Sequence, residues 1–189
     1  MQKFIITGGP GSGKTTLLIA LQHKGYNCAE EASRQVITEE VARKSICLPW
    51  INLSCFAEKT LARMIELYKS SNATSLTFFD RGIPDIIAYL KLADLPFAEN
   101  YYKALQEVPY HSTVFILPPW KEIYLNDPER WQTFEEAVAI YHSLKETYQS
   151  LGFQLIELPK ASVVERKKCV EATILTLANN AFIKADIEL

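Results

Sequence analysis

The segment that most constrains the fold is a glycine-rich stretch near the start of the chain, Gly8-Gly9-Pro10-Gly11-Ser12-Gly13-Lys14-Thr15. It satisfies the pattern G-x-x-x-x-G-K-[ST], with a short apolar run, Lys3–Thr7, before it and an amphipathic run, Lys14–His23, after it. Glycines permit backbone angles that other residues avoid and let the main chain approach an anion closely. Successive amide groups and the start of the following helix then face that anion. The sequence therefore predicts a phosphate-binding loop between a strand and a helix.

Each residue of this loop has an expected role toward a bound nucleoside triphosphate. Lys14 would place its charge against the outer phosphates, and the hydroxyl of Thr15 would coordinate Mg²⁺. The complete set expected to contact the nucleotide is Gly8, Gly9, Pro10, Gly11, Ser12, Gly13, Lys14, Thr15 and Thr16. The alternative, a glycine turn beside an incidental lysine, is disfavoured because the whole Walker A pattern is present in a strand–loop–helix setting.

Short apolar runs alternate with longer helical patterns along the rest of the chain, which predicts an α/β fold with a parallel sheet between helices. Further strands are predicted at Tyr26–Ala29, Leu76–Phe79, His111–Leu117 and Phe153–Leu158. Helices are predicted at Ala32–Lys44, Leu53–Tyr68, Asp85–Leu92, Phe134–Leu151 and Val163–Leu177. We find no repeat and no linker, so residues 1–189 are expected to form a single domain.

Composition narrows the possible partners. The 189 residues include 20 basic and 22 acidic side chains, for a net charge of −2. This balance argues against a general nucleic-acid binder and against a polybasic membrane binder. The chain begins with neither a signal peptide nor a run of about 20 apolar residues, so we expect no membrane span and a cytoplasmic location.

Cysteine and histidine spacing gives no sign of a metal centre. The residues are Cys28, Cys47, Cys55, Cys169, His23, His111 and His142. They lack the close spacing of zinc or redox motifs. A chain of this size also needs no disulfide for stability, so we expect four reduced, partly buried thiols.

The end of the strand at Leu76–Phe79 carries a candidate metal ligand, Asp80. The terminal acid of a buried strand reaches the edge of the sheet where phosphates bind, and there it can hold Mg²⁺ or its water shell. Arg81 follows and can bind a carboxylate or phosphate with two parallel hydrogen bonds. The alternative is an ordinary Asp–Arg turn at the surface.

A second acidic pair, Glu30-Glu31, follows the strand at Tyr26–Ala29. One of them is a candidate general base toward a hydroxyl, or a ligand of Mg²⁺ through water. We favour Glu30 because it lies nearer the strand. Acids at a helix N-terminus also occur for dipole reasons alone, and Arg34 is as well suited to solvent as to the same cleft.

Four segments together resemble the successive motifs of the predicted-ATPase (AAA-like) family of P-loop proteins: FIITGGPGSGKTTL, EEASRQVI, FFDRGIPDIIAYL and PPWKEIYLNDPERWQTFEEA. That family is similar to the nicotinamide riboside kinase domain of NadR-type enzymes and includes a eukaryotic GTP-binding, lipid-binding trafficking protein. The resemblance implies a P-loop NTPase with a kinase-like parallel five-stranded sheet of order 2-3-1-4-5. It also implies a helical segment around residues 30–71 on the side of the phosphoryl acceptor, and a lid around residues 118–131.

The same resemblance assigns roles to particular residues. Lys14 and Thr15 carry over as ligands of phosphate and magnesium, Asp80 and Arg81 as site residues, and Arg130 as the lid arginine. Asp80-Arg81-Gly82 resembles the D-R-S element of deoxynucleoside kinases, with glycine in place of serine.

The lid departs from that of well-defined small-molecule kinases, which often place several arginines there. Between Pro118 and Trp131 the chain has a single arginine, Arg130, and the acidic residues of this segment outnumber the basic ones by three to two. This favours a neutral hydroxyl acceptor over one that is already phosphorylated. The alternative for Arg130 is a surface ion pair with Asp127 or Glu129.

These observations lead to one main functional hypothesis, a Mg²⁺-dependent ATP-binding phosphotransferase acting on a small nucleoside-like hydroxyl acceptor. The alternatives are an ATP- or GTP-hydrolysing protein that switches affinity for a protein or lipid partner, and nucleotide binding without efficient chemistry. The chain has no N-K-x-D segment, which favours ATP over GTP. Pro159–Ser162 is expected to border the base. Trp50, Trp120 and Trp131 either pack under loops or stack on a ring.

Overall fold

The computed structural model describes residues 2–72, 74–124 and 132–187, with side chains described up to residue 180. The strands are β1 (Lys3–Gly8), β2 (Asn27–Ala29), β3 (Thr77–Asp80), β4 (Thr113–Leu117) and β5 (Gln154–Glu157). The helices are α1 (Lys14–Gln22), α2 (Ala32–Ala42), α3 (Leu53–Ser70), α4 (Ile83–Leu92), α5 (Asn100–Glu107), α6 (Phe134–Ser150) and α7 (Val163–Ile187). A short 3₁₀ turn, Lys121–Ile123, follows β4. None of the described helices is long and apolar enough to cross a membrane.

The five strands form one parallel sheet in the order β2-β3-β1-β4-β5, which confirms the predicted order. The register aligns Ile6 of β1 with Asp80 of β3, and Gly8 of β1 with Leu117 of β4. All strands therefore end at one edge of the sheet, and the residues that follow β1 and β3 lie side by side there.

The apolar core lies in two layers, one on each face of the sheet. Successive residues of a strand point to opposite faces, so Ile5 belongs to one layer while Phe4 and Ile6 belong to the other. The larger layer buries the inner sides of α3, α4, α5 and α6, and the smaller layer those of α1 and α7. Packing on both faces fixes the carboxyl ends of the strands and so gives the site a rigid base.

One helix was not predicted from the sequence pattern. Helix α5 lies between α4 and β4, and it buries Tyr101 and Ala104, which are three residues apart on one face. Eight residues with so few apolar positions give a weak periodic signal. In addition, α7 extends ten residues beyond Leu177, where the predicted helix ended.

The expectation of four reduced thiols is wrong for two of them, because Cys47 and Cys55 form a disulfide with Cα atoms 5.0 Å apart. The physical reason is local. The chain turns back between α2 and α3, and the side chain of Asn52 caps α3 by accepting a hydrogen bond from the amide of Cys55. This turn brings the two cysteines together across eight residues. Cys28 and Cys169 are free and half-buried.

We expect two of the four thiols to react when the oxidised protein is denatured and treated with a thiol-reactive chromophore, and all four to react after reduction. The double variant Cys47→Ser/Cys55→Ser should show two reactive thiols before and after reduction. Closing so short a loop should contribute about 2–3 kcal/mol to the free energy of unfolding. Four reactive thiols before reduction would contradict the disulfide.

Candidate functional site

The glycine-rich loop connects β1 to α1 at the carboxyl edge of the sheet, as predicted. Gly11 and Gly13 have φ angles of +70° and +88°, which residues with a Cβ atom rarely adopt. A Cβ on Gly11 would come within 2.5 Å of the Tyr124 ring, and one on Gly13 within 2.8 Å of Arg166 Nη1. Gly13 is also the N-cap of α1. The loop thus has the close packing and the helix N-terminus that an anion site needs.

Lys14 is buried beneath this loop. Its Nζ atom donates hydrogen bonds to the carbonyl oxygens of Gly8, at 2.8 Å, and Gly9, at 3.0 Å. Burial and the charge of Arg81 lower the pKa of Lys14 to about 8, against the opposing effect of nearby carboxylates. The lysine therefore carries its charge at neutral pH and holds the two ends of the loop together.

Asp80 ends β3 beside the start of the loop. It is 7% exposed, and its Oδ1 atom has no hydrogen-bond partner in the described part of the chain. Burial raises the pKa of Asp80 to about 6, although Lys14 and Arg81 act in the opposite direction. Buried carboxylate oxygens are normally paired, so this one fits a site that a bound cation completes.

Arg81 adopts a φ of +70°, which is uncommon for a residue with a side chain and marks local strain. Its Nε atom donates to Glu31 Oε1 at 3.3 Å. Its Nη1 atom donates to the Gly8 carbonyl at 3.2 Å and to Asp85 Oδ1 at 3.1 Å. One guanidinium therefore connects β1, the segment after β2 and the first turn of α4.

Asp85 is a site residue that sequence reasoning missed. It is 2% exposed. Besides the bond from Arg81, it accepts hydrogen bonds from Thr7 Oγ1 at 2.6 Å, the Gly82 amide at 3.0 Å and the Tyr148 hydroxyl at 2.5 Å. The sequence did contain a signal for this residue. Asp85 is an acid about one helical turn after Arg81, in the first turn of a helix whose start is marked by Pro84. Asp85 fixes the Arg81 side chain and links it to α6.

A cavity of 1630 Å³ joins the glycine-rich loop to a space between α2, α3 and α4. The loop residues Pro10 to Thr16 line its phosphate end. Its other end has mostly apolar walls, which are Ile37, Trp50, Leu53, Phe56, Ala57, Met64, Ile86 and Leu92. The cavity therefore has room for a nucleotide and a second small molecule.

The two acidic residues after β2 are placed differently. Glu31 lines the cavity, and its Oε1 atom accepts a hydrogen bond from Ser33 at 2.7 Å as well as the one from Arg81. Burial raises the pKa of Glu31, but the charges of Arg81 and Lys14 outweigh this effect and lower it to about 2. Glu30, which the sequence favoured, is exposed and bonds to Gln35. The geometry thus favours Glu31 as the acid that faces a ligand.

A third group of residues lines the cavity beyond the loop. Trp120, after β4, and Ala161 and Ser162, after β5, lie there, so the expected base-bordering segment does reach the cavity. Trp50 also lines it and is 51% exposed. Arg130 and Trp131 lie outside the described residues. Of the predicted residues, the structure brings Lys14, Asp80 and Arg81 close enough for their charges to act on one another, together with Glu31.

A family model described as an AAA domain matches residues 3–166 of this chain. The chain belongs to this family. The match spans every element from β1 to the first turn of α7, including all the cavity-lining residues named above. A sequence comparison with curated proteins finds no match.

Solved structures similar to this AAA domain show the same fold. A deoxyadenosine kinase from M. mycoides, solved with the products dCMP and a flexible dCDP, is 15% identical with a TM-score of 0.67, over 92% of this chain and 99% of that one. A thymidylate kinase from Candida albicans is 16% identical with a TM-score of 0.66, over 94% and 92%. NadR in complex with NR is 18% identical with a TM-score of 0.65, over 91% of this chain and 50% of that one.

We expect Asp85→Asn to lower the free energy of unfolding of this AAA domain by about 3–5 kcal/mol, because it removes one partner of a buried ion pair. Tyr148→Phe, which removes a single donor to the same carboxylate, should cost about 1 kcal/mol. Urea unfolding followed by circular dichroism measures both. Equal midpoints for Asp85→Asn and the unchanged protein would contradict the role given to Asp85.

Proposed function

We propose that this protein is a Mg²⁺-dependent phosphotransferase that moves a phosphoryl group from ATP to a hydroxyl of a small, neutral, nucleoside-like molecule. The observation that carries the proposal is the cavity, which runs without a break from the glycine-rich loop to an apolar space behind Glu31. A simple nucleotide-binding site would need only the first part. The similar folds of nucleoside and nucleotide kinases support this proposal.

At the phosphate end, the loop amides and Lys14 would bind the triphosphate. Lys14 now bonds to the carbonyls of Gly8 and Gly9, so it would exchange these acceptors for phosphate oxygens. The residues suited to Mg²⁺ are Thr15, whose exposed side chain lines the cavity, and Asp80 with its unpartnered oxygen. Mg²⁺ usually takes few protein ligands beside phosphates and water, and when bound it would neutralise charge on the transferring group.

At the other end, Glu31 would bind the attacking hydroxyl. It is ionised at neutral pH and held by Arg81 and Ser33, so it can accept a hydrogen bond from that hydroxyl and receive its proton as transfer proceeds. Arg81 would hold Glu31 in place and contribute positive charge beside the reacting groups. The transferred phosphoryl group would lie between Lys14 and Glu31.

The charges of the cavity favour a neutral phosphoryl acceptor. Arg81 is already paired with Glu31 and Asp85, and Arg34 lies at the rim with its side chain 59% exposed. The hydroxyls of Ser33, Thr38 and Thr60 all donate within the protein, to Glu31 Oε1 and to the carbonyls of Arg34 and Phe56 respectively. Apart from Arg34, this end of the cavity therefore offers mainly hydrogen-bond acceptors and apolar walls, which favours an acceptor that carries no phosphate.

Two details of the proposal come from the sequence. The missing N-K-x-D segment favours ATP over GTP. Arg130 of the lid would stabilise the charge of the transferring phosphoryl group, which in related reactions is worth about 10³–10⁵-fold in rate. The alternative function, an NTP-hydrolysing switch, is based on the resemblance to a GTP-binding trafficking protein.

The central experiment is a screen for ADP release from ATP stimulated by neutral nucleosides and by nucleoside monophosphates, with phosphorylated products identified by mass spectrometry. We expect stimulation by a neutral nucleoside-like compound and none without magnesium. Equal ADP release with and without every compound would support the hydrolysing switch instead. A preference for monophosphates would overturn the neutral acceptor.

We expect Lys14→Ala to weaken Mg-ATP binding by about 10- to 100-fold, since it removes a charged hydrogen-bond donor from the phosphates. Isothermal calorimetry measures the affinity, and Lys24→Ala, at an exposed lysine just after α1, is the matched control. If both variants bind Mg-ATP like the unchanged protein, the glycine-rich loop does not hold the nucleotide.

We expect Glu31→Gln to lower kcat at least about 100-fold while Mg-ATP affinity changes by only a few-fold, because a positioned base typically contributes about 10²–10⁴-fold. Glu30→Gln changes the neighbouring, exposed acid in the same way and should leave kcat within about twofold. Steady-state kinetics with the compound found in the screen decides between them. A larger loss in Glu30→Gln would restore Glu30 as the candidate base.

A further inference from the structure

A buried arginine that packs against the glycine-rich loop and lines the same cavity has no role in the function proposed above. Arg166, in the first turn of α7, is 3% exposed. Its Nη1 atom donates to the Ser12 carbonyl at 3.0 Å, and its Nε atom donates to the Pro159 carbonyl at 3.1 Å. The guanidinium also lies 4.8 Å from the ring centre of Trp120. One side chain thus joins the loop, the segment after β5 and the segment after β4.

The positive charge of this guanidinium is buried. In the parts of the chain that the structure describes, no carboxylate forms an ion pair with it, and its Nη2 atom has no hydrogen-bond partner. Burial lowers the pKa of Arg166. An apolar side chain at such a position is often at least as favourable for stability as a buried charge. The arrangement therefore points to a role beyond holding the fold together.

The contact with Ser12 acts on the part of the loop that faces a ligand. The Ser12 carbonyl and the Gly13 amide belong to one planar peptide unit, in which C=O and N–H point in opposite directions. A cation that holds the carbonyl therefore fixes the direction of the Gly13 N–H. It also polarises the peptide, which makes that N–H a stronger donor. Gly13 lines the cavity at the start of α1.

We propose that Arg166 is a positioning residue, held beside the Trp120 ring, that orients and polarises the Ser12–Gly13 peptide toward bound phosphates. The inference rests on the nucleotide-binding part of the proposed function and is independent of the phosphoryl acceptor. Trp120 lies directly before the 3₁₀ turn Lys121–Ile123. The Trp120 ring and the Ser12 carbonyl therefore contact the same guanidinium.

The test measures Kd for Mg-ATP and for inorganic tripolyphosphate, which has no base, in Arg166→Met and Arg166→Lys. We expect Arg166→Met to raise both Kd values at least about tenfold and by a similar factor. Arg166→Lys, which keeps the charge, should raise them less. Lys168→Met, at an exposed position two residues later on α7, should stay within about twofold for both.

A spectroscopic measurement separates positioning from general loss of structure. In ligand-free ¹⁵N-labelled protein, the Gly13 amide resonance should move in Arg166→Met and stay in place in Lys168→Met. If Arg166→Met does not fold, Trp120→Leu removes the ring beside the guanidinium and should weaken tripolyphosphate binding, whereas Trp120→Phe keeps a ring there and should bind more tightly than Trp120→Leu.

Three results would overturn the inference. One is tripolyphosphate binding within about twofold of the unchanged protein in both Arg166 variants. Another is a loss of Mg-ATP binding alone, which would place Arg166 at the base instead. The third is an unmoved Gly13 resonance. Failure of the proposed function looks different, because the unchanged protein would then bind Mg-ATP and tripolyphosphate but transfer phosphate to no acceptor.

Discussion

The buried guanidinium of Arg81 is the contact on which the arrangement of the cavity depends. It binds the Gly8 carbonyl, Glu31 and Asp85, which come from three different elements of the fold. Removing it would take the paired cation from the buried carboxylate of Asp85 and would leave Glu31, among the described residues, with only the longer ion pair to Arg34, a change far more costly than losing a surface ion pair. The same network explains why a positive φ is tolerated at Arg81, because bonds on three sides hold the strained backbone in place.

Arg81 is paired with carboxylates, but two other charged side chains each have an atom without a hydrogen-bond partner among the described residues. Asp80 has an oxygen without a partner, and Arg166 has a nitrogen without one, each among the described residues. Asp80 lies at the sheet edge beside the loop, and Arg166 bonds to the Ser12 carbonyl of the loop. In the proposed function, a bound polyphosphate would bring negative charge and its cation positive charge to this region, and the two unpartnered atoms are of the kind that such a pair of ligands would complete.

The part of the site that the sequence predicted is the part encoded locally. The loop from Gly8 to Thr16 follows from spacing within one short segment, and Asp80 follows from its place at the end of an apolar strand. Asp85 could not be found in this way, because its partners Thr7 and Tyr148 lie 78 and 63 residues away. Which of Glu30 and Glu31 faces the cavity depends on the backbone direction after β2, and the amino-acid sequence alone does not show this direction. The disulfide likewise depends on the turn between α2 and α3.

The apolar end of the cavity, away from the glycine-rich loop, can select a molecule in two ways, by apolar contact and by hydrogen bonding. Apolar walls such as those formed by Trp50, Phe56 and Ile86 discriminate weakly, since a methylene group more or less changes binding by about 1–3 kcal/mol. A polar group that must be matched discriminates far more strongly. The Ser33 and Thr60 hydroxyls already donate hydrogen bonds within the protein. Polar selectivity at this end therefore comes from ligand groups that can donate a hydrogen bond to the oxygen atoms of the cavity wall. Glu31 is the strongest of these acceptors. In the proposed function, selection of the second substrate would therefore depend on a hydroxyl placed against that carboxylate, and the rest of the molecule would be chosen mainly by shape.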